Sequence, residues 1–123
     1  MTEAEGLVLV AQTAAVRTVT LNRPQALDSF TTAMHAELPA APDAAAADEA
    51  VRCVVITGAG RAFSAGHGLS DPAAALNLKA GASQPDIGDL IDRCYVPLAL
   101  RVRSMPLPVI AVVNGVAAGA GAN

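Results

Sequence analysis

The chain begins with two short runs in which apolar and polar residues alternate in the manner of β-strands. Residues 7–10 and 16–21 are rich in Val, Thr and Leu and are separated by small residues, a pattern that predicts an N-terminal hairpin. The second run ends before Pro24, which has no N–H to donate to a strand ladder. A β-hairpin is therefore the first predicted unit of the fold.

A helical spacing replaces this alternation after the hairpin. Apolar residues recur at every fourth position, at Phe30, Met34 and Leu38. Asp28 or Ser29 can cap the free N–H groups of such a helix. Pro39 predicts its end near Leu38, and Pro42 repeats the obstruction, because proline lacks a backbone donor and clashes with the preceding turn. The alanine-rich residues 43–50 allow a helix to restart.

Two nearly continuous apolar runs, residues 51–57 and 109–113, have strand length and the composition of strands buried on both faces of a parallel sheet. Each run leads into a loop of small residues. The first loop, residues 58–68, contains four glycines, and the second, residues 114–122, alternates glycine with alanine. The predicted order of elements is therefore a strand, a glycine-rich loop, a helix, a second strand and a second glycine-rich loop.

The intervening helix is predicted to begin at an Asp86 cap and to bend at Pro97. Its apolar side follows the spacing of an amphipathic helix. That side contains Ile87, Leu90, Ile91, Leu98, Val102 and Met105.

Composition and charge narrow the class of protein. The 123 residues suit one domain, predicted over residues 1–123, with 53% apolar residues, although 28 residues are alanine. The net charge is −3 and the eight Lys and Arg residues are scattered, so we expect no nucleic-acid partner. Cys53 and Cys94 are far apart in apolar segments, which indicates reduced thiols and a cytoplasmic location.

Two segments differ from the patterns of a secretory signal and of a membrane-spanning helix. The N-terminal residues MTEAEG are acidic and lack the apolar core of a secretory signal. Residues 105–122 are uncharged and long enough to span a membrane, but proline, asparagine and glycine interrupt them. We expect an exposed turn there and no membrane partner.

Two common site patterns fit the first glycine loop poorly. Gly58 and Gly60 could begin a dinucleotide-binding fingerprint, but its third glycine would fall on Phe63. Ser64 could be a nucleophile, but Ala62 replaces the glycine that precedes the serine in a nucleophile elbow. A small dinucleotide-binding protein and a serine hydrolase are thus disfavoured.

The two histidines, His35 and His67, do not suggest a metal site, because neither has a carboxylate or thiol at metal-ligand spacing. We expect no metal, and we expect His35 to lie on a helix surface.

The two glycine loops together have a further chemical use. Backbone N–H groups freed by such turns can converge on one oxygen and form an oxyanion hole. Two ordinary strand-to-helix turns would also satisfy the pattern, and the residues alone favour that reading.

Three segments resemble a known family, and this resemblance favours the oxyanion hole over two ordinary turns. LNRPQALDSF, VRCVVITGAGRAFSAG and MPLPVIAVVNGVAAGAGA, at residues 21–30, 51–66 and 105–122, resemble in order and spacing the N-terminal half of the enoyl-CoA hydratase/isomerase family, the crotonases. MHAEL, RCVVITGAGRAFSAG, the YVPL helix and NGVAAGAGA most resemble the ring-epoxide isomerases that act on 1,2-epoxyphenylacetyl-CoA in phenylacetate breakdown.

The resemblance implies an α/β fold, a crotonase-like spiral of ββα units, of which this chain is the incomplete N-terminal half. It also implies an enzyme that binds an acyl-CoA thioester and stabilises its enolate. Coenzyme A would be part of the substrate, so no separate cofactor is expected, and the full-length protein would form a trimer-based homo-oligomer.

Site residues follow from the resemblance position by position. The backbone N–H groups of His67 and Ala120 would be the two oxyanion donors. The path of coenzyme A and the acyl group would be lined by Ala26, Leu27, Ala65, Gly66 and Gly119. Arg23 is expected to be a solvated turn residue rather than a phosphate ligand.

Three departures from the family pattern qualify the expectation. Gly68 stands where relatives usually carry aspartate, which suggests a less firmly held loop, and Pro39 and Pro42 interrupt the first long helix. The chain also ends at Asn123, which stands at the site of one glutamate of the hydratases, and before the segment that carries the second acid/base carboxylate of the family. Because those groups are worth about 10² to 10⁴ in rate, we expect this chain alone to be nearly inactive.

A non-catalytic binding or assembly module derived from a crotonase is the alternative prediction, in which exposed sheet edges and apolar faces pair with another chain. The sequence does not specify the acyl group, nor hydration against isomerisation.

Overall fold

A computed structural model describes residues 6–123. In that range the strands are β1 (Val8–Thr13), β2 (Val16–Leu21), β3 (Cys53–Gly58), β4 (Ala62–Ser64), β5 (Val109–Ala111) and β6 (Val116–Ala117). The α-helices are α1 (Thr32–Glu37), α2 (Ala40–Ala47), α3 (Ile87–Leu90) and α4 (Val96–Arg103). A π turn, Ile91–Tyr95, joins α3 to α4, and 3₁₀ turns cover Pro24–Ala26 and Gly119–Gly121. The prediction that MTEAEG is not a secretory signal concerns residues 1–6, of which 1–5 lie outside the described range.

The main sheet has four strands in the order β1-β2-β3-β5. β1 and β2 form the predicted antiparallel hairpin, and β3 pairs in parallel with β2 on one side and with β5 on the other. A second, two-stranded sheet joins β4 and β6 in parallel. Because β3 and β5 are parallel neighbours, the loops that follow them leave the main sheet at the same end.

The first helical region differs from its prediction in two details and agrees with it in a third. Thr31, not Asp28 or Ser29, is the cap, and its hydroxyl accepts a hydrogen bond from Met34 N at 3.1 Å. Phe30 precedes the helix and pairs with His67 in an isolated parallel bridge. The predicted end near Leu38 is confirmed, since α1 ends at Glu37.

Helix α2 begins at Ala40, with Pro39 as its cap residue and Pro42 inside its first turn. Pro42 was predicted to obstruct the chain, and that prediction is wrong. N–H groups in the first turn of a helix have no intrahelical acceptor, so a proline there sacrifices no hydrogen bond.

The core lies between the hairpin face of the main sheet and helices α1 and α2. Its members are almost completely buried apolar side chains, with Val19, Leu21, Met34, Ala45 and Val54 all at most 2% exposed. Burial of this kind contributes about 1.5–3 kcal/mol for each large side chain. The hairpin and the first helical region therefore form one packed unit.

Strand β5 was predicted to be buried on both faces, and the structure contradicts this. Ile110 and the following Val112 and Val113 are about half exposed. β5 is the edge strand of the main sheet, so within residues 6–123 only β3 pairs with it and one of its faces has no covering layer.

The third helical region starts at the predicted cap, where Asp86 Oδ1 accepts from Asp89 N at 3.0 Å. The predicted bend is a π turn directly before Pro97. Since Pro97 has no N–H and its ring crowds the carbonyl four residues earlier, the regular helical ladder cannot continue through it. The wider turn ends at Tyr95.

Among residues 6–123, no helix combines the length and the apolar character that crossing a bilayer requires. Residues 105–122 form β5, β6 and exposed turns instead, as predicted.

Candidate functional site

The first glycine loop is fixed by the bridge between Phe30 and His67. Phe30 N donates to Gly66 O at 2.7 Å, and Gly68 N donates to Phe30 O at 2.7 Å. In a parallel bridge these two bonds use the neighbours of His67 and leave its own N–H free of the ladder. Within the described part of the chain, His67 N donates to no protein acceptor.

The second glycine loop comes against the first at Gly66, whose φ of +99° suits glycine. A β-carbon on Gly66 would lie 3.0 Å from Ala118 O and 3.6 Å from Ala120 N. Since His67 N is bonded to the carbonyl carbon of Gly66, the nitrogens of His67 and Ala120 lie within about 7 Å of each other. Like His67, Ala120 donates its N–H to no acceptor within residues 6–123.

Glycine is also required where the second loop crosses β4. A β-carbon on Gly115 would lie 2.0 Å from Arg61 O, and one on Gly121 would lie 2.2 Å from Ser64 O. Any larger residue would separate the two loops.

The Asn114 side chain clamps the loops together. Its Nδ2 donates to three carbonyls, Gly58 O and Gly60 O at 2.9 Å and Ala62 O at 3.0 Å. Its Oδ1 accepts from Gly58 N at 3.2 Å. One amide thus holds both ends of the turn between β3 and β4 against the end of β5.

An open apolar cavity of about 590 Å³ lies beside the two free N–H groups. This volume is within the range of small-molecule sites. The side chains of α3, the π turn and α4 form one wall, and Phe30 and both glycine loops form the other. His67, Tyr95 and Asn123 are the polar residues among those that line it.

The His67 side chain has a hydrogen-bond partner at each ring nitrogen. Tyr95 Oη lies 2.5 Å from Nδ1, and Asp71 Oδ2 lies 2.7 Å from Nε2. Asp71 also accepts from the N–H of Thr32 at 2.9 Å. Burial raises the pKa of Asp71, but these hydrogen bonds outweigh burial and bring its pKa below the ordinary value. Asp71 is therefore a carboxylate and His67 donates to it from Nε2.

Asp71 holds the first glycine loop, which was expected to be less firmly held because Gly68 stands in place of an aspartate. The structure instead buries Gly68, and a β-carbon there would lie 3.3 Å from Phe30 O. Asp71 ties the loop to the start of α1 from three residues further along.

His35 is buried, with 7% of its surface exposed, so its predicted position on a helix surface is wrong. Its ring stacks on Phe30 at a centroid distance of 5.3 Å and meets the Tyr95 ring edge-on at 4.3 Å. Neither ring nitrogen has a hydrogen-bond partner in the described structure. Burial first, then the nearby His67, lowers the pKa of His35 to about 4, which keeps it neutral.

The predicted coenzyme A positions lie along the same two loops. Ala65 N donates to Leu27 O at 3.0 Å, so these two residues meet, and Ala26 precedes them in a 3₁₀ turn. Gly66 and Gly119 lie in the loops themselves, both with positive φ. The structure brings these positions together, and their role in binding stays a prediction.

Arg23 is not the solvated turn residue that we expected. Its Nη1 donates to Ser29 O at 2.7 Å and Ser29 Oγ at 2.8 Å, and its backbone N donates to Asp28 Oδ1 at 2.8 Å. Asp28 is fully buried, and burial raises its pKa. Arg23 thus stabilises the turn rather than facing solvent.

Sequence reasoning missed four residues of this site: His35, Asp71, Tyr95 and Asn114. The signal for Asp71 and Tyr95 was weak. Asp71 follows His67 by four positions, but in a loop where this spacing implies no contact. Tyr95 is the single tyrosine of the chain, and its segment YVPL contributes to the family resemblance without indicating a role for the phenol.

Known proteins match most of this chain, including the residues of the candidate site. The family model of enoyl-CoA hydratase/isomerase matches residues 11–123. The 1,2-epoxyphenylacetyl-CoA isomerase of Escherichia coli is 47% identical over 107 residues, covering 87% of this chain and 39% of that protein. A probable enoyl-CoA hydratase of Rhodobacter capsulatus is 43% identical over 106 residues, covering 85% of this chain and 37% of its own length.

Solved structures agree with the sequence comparison. An enoyl-CoA hydratase from Mycobacterium avium subsp. paratuberculosis superposes with a TM-score of 0.75 at 33% identity, covering 98% of this chain and 43% of that one. The predicted crotonase-like α/β fold is confirmed, and this chain spans about two-fifths of the length of these relatives.

Proposed function

The chain belongs to the enoyl-CoA hydratase/isomerase family, and from that premise we propose that it binds an acyl-CoA thioester and stabilises the enolate through the N–H groups of His67 and Ala120. The observation that supports the proposal is that two backbone N–H groups without a protein acceptor lie near each other beside an apolar cavity. Preorganised donors of this kind act on charge as it develops and are worth about 2.7–4 kcal/mol each in the transition state.

The acyl group that suits this cavity is aromatic. The rings of Phe30 and Tyr95 line the cavity and meet each other edge-on at 5.7 Å. A phenyl ring beside them would gain edge-to-face contacts in addition to apolar burial. The name of the Escherichia coli relative supports the same substrate class, so a ring-epoxide isomerase acting on an epoxyphenylacetyl-CoA is the specific activity that we propose.

The test uses acetoacetyl-CoA, whose acidic C2 position gives an enolate with its own ultraviolet absorbance. Adding the chain should increase that absorbance, because hydrogen bonds to a charged oxygen are worth about 1.5–3 kcal/mol, or roughly ten- to a hundredfold in the enolate fraction. Gly66→Ala should remove the effect, since its β-carbon would press on Ala118 O and move the second donor.

Gly81→Ala is the matched control. Gly81 also has positive φ, but a β-carbon there would contact nothing within 4 Å. Both variants therefore carry backbone strain, and only Gly66→Ala disturbs the loops. An enolate absorbance that the chain does not change, or that both variants lower equally, would contradict the proposal.

An assembly module is a second candidate, and the exposed apolar residues of the β5 edge favour it. Ile110, Val112, Val113 and Val116 are all about half exposed. Sedimentation of the chain should then show a concentration-dependent oligomer that Ile110→Lys disrupts. A monomer at all concentrations would rule this candidate out.

A further inference from the structure

The cavity wall contains a line of three polar side chains whose chemistry the proposed function does not use. Asp71, His67 and Tyr95 are joined by two short hydrogen bonds, of 2.7 and 2.5 Å. All three side chains belong to one loop and the π turn. The Asp71 side chain is 4% exposed and the His67 side chain 13% exposed, so water does not compete strongly for these bonds.

The direction of the protons in this line follows from charge. The Asp71 carboxylate can only accept, so His67 donates to it from Nε2. A neutral imidazole then has a lone pair on Nδ1, and Tyr95 donates its phenol proton to it. The Tyr95 oxygen keeps a lone pair of its own, and Tyr95 is among the residues that line the cavity.

From this arrangement we propose that Tyr95 is a catalytic acid/base residue, which accepts a proton from C2 of the bound acyl group while His67 and Asp71 act as positioning residues that take up its phenol proton. The proposal rests on the proposed function, because the acyl group must lie with its thioester oxygen at the two backbone donors.

The proton transfer from C2 to Tyr95 is coupled to a second transfer from Tyr95 to His67. The C2–H bond breaks and its proton forms a bond to Tyr95 Oη, while the phenol proton moves to His67 Nδ1. The electron pair of the C2–H bond forms the C1–C2 double bond, and the carbonyl pair moves to the thioester oxygen. The products are an enolate at the backbone donors of His67 and Ala120 and an imidazolium facing the Asp71 carboxylate. The reverse transfer returns a proton to carbon.

Two surrounding features favour this route. Burial raises the pKa of Tyr95 well above its usual value, so a free phenolate does not accumulate and the phenol must pass its proton on as it receives another. His35 lies 6.3 Å from His67 between ring centroids, but it is neutral and adds no second positive charge beside the imidazolium.

The arrangement has the logic of a nucleophile, histidine and carboxylate triad, with a phenol in the first place. In such a triad the carboxylate fixes the histidine tautomer and stabilises the imidazolium, and its replacement by an amide is strongly damaging. The same role is expected for Asp71.

The experiment measures exchange of the C2 protons of phenylacetyl-CoA for deuterium in D₂O, by mass spectrometry, with the full 123-residue chain. The chain should accelerate exchange, and Tyr95→Phe should lower the accelerated rate by about 10² to 10⁴, the usual worth of a general acid/base group. Asp71→Asn should lower it by a similar factor. Asp89→Asn is the control, because Asp89 is an exposed carboxylate paired with Arg93 outside the cavity.

A second measurement tests whether Asp71 fixes the tautomer of His67 or only packs against it. The ¹⁵N chemical shifts of His67 should report an Nε2–H tautomer in the unaltered chain, and Asp71→Asn should shift the population toward Nδ1–H. Equal unfolding midpoints in urea for the unaltered chain and Tyr95→Phe would show that the variant is folded.

The outcomes of the exchange experiment are distinct. If the chain accelerates exchange and Tyr95→Phe exchanges equally fast, the relay is wrong. If the chain stabilises the acetoacetyl-CoA enolate but does not accelerate exchange, the relay is wrong and the proposed function stands. If it does neither, the proposed function fails and the relay fails with it.

Discussion

Two regions of this molecule have similar apolar patterns, but the first buries several large apolar side chains and the second buries one, Leu90. In the hairpin with α1 and α2, apolar side chains such as Leu21 and Met34 are at most 2% exposed. In residues 87–123, Leu100 is 63% exposed and Val113 is 57% exposed. The spacing of apolar residues therefore identifies the elements, but burial depends on whether another element of the chain packs against them.

The cavity with its two free backbone donors lies where these regions meet. Phe30 belongs to the packed region, and Ala120 and Leu98 belong to the open one. Packing on one side fixes the first loop, while the second loop is fixed mainly by contacts with the first. Three experiments test how far the two regions differ.

The same substitution placed in each region should give the largest contrast. Leu21→Ala removes a buried side chain and should lower the free energy of unfolding by about 2–5 kcal/mol. Leu100→Ala should change it by no more than about 0.5 kcal/mol, because that side chain is already largely in water. Urea unfolding curves of both variants measure the difference, and equal losses would show that the open region is packed in solution.

A glycine at the junction should give an intermediate effect. Gly115→Ala places a β-carbon 2.0 Å from Arg61 O and should cost about 1–3 kcal/mol through backbone displacement. Gly88→Ala is the matched change at an exposed position in α3, where alanine favours the helix and should be neutral or slightly stabilising. Thermal unfolding of the two variants decides whether the loops are held as tightly as the structure indicates.

Acid should destabilise the packed region through His35. Its pKa is about 4 in the folded chain and near 6.5 unfolded, so the unfolded state binds more protons between these values and stability falls as pH falls. We expect a loss on the order of 1 kcal/mol from about pH 7 to about pH 5. His35→Phe keeps the ring contacts with Phe30 and Tyr95 and should flatten this dependence in urea titrations at each pH.

Asp28 should change the pH dependence of stability in the direction opposite to His35. Its raised pKa means that the folded state binds protons more readily, so this carboxyl contributes stability in acid, opposite to His35. A His35→Phe variant that still loses stability between pH 7 and 5 to the same extent would assign the dependence to another group.

The sequence predicted the strands of the main sheet well, because their signals are local, but it missed β4 and β6, which lie within the segments predicted as glycine loops. The limits of β2 and the end of α1 match the expected residues. The expected roles of His35 and β5 were wrong, since both depend on which distant elements surround them. The line from Asp71 to Tyr95 joins residues 24 positions apart through His67, and a contact between a loop and a π turn leaves no periodic trace in a sequence.

The Asn114 clamp has a consequence for how the two backbone donors fluctuate. One planar amide bonds to three carbonyls of the first turn, and the residues that follow it lead directly to Ala120. We therefore expect the two loops to move together, so that the spacing between the donors varies less than the position of either. In the proposed function, the gap that receives a single oxygen atom would thus be held by a side chain that does not touch that atom.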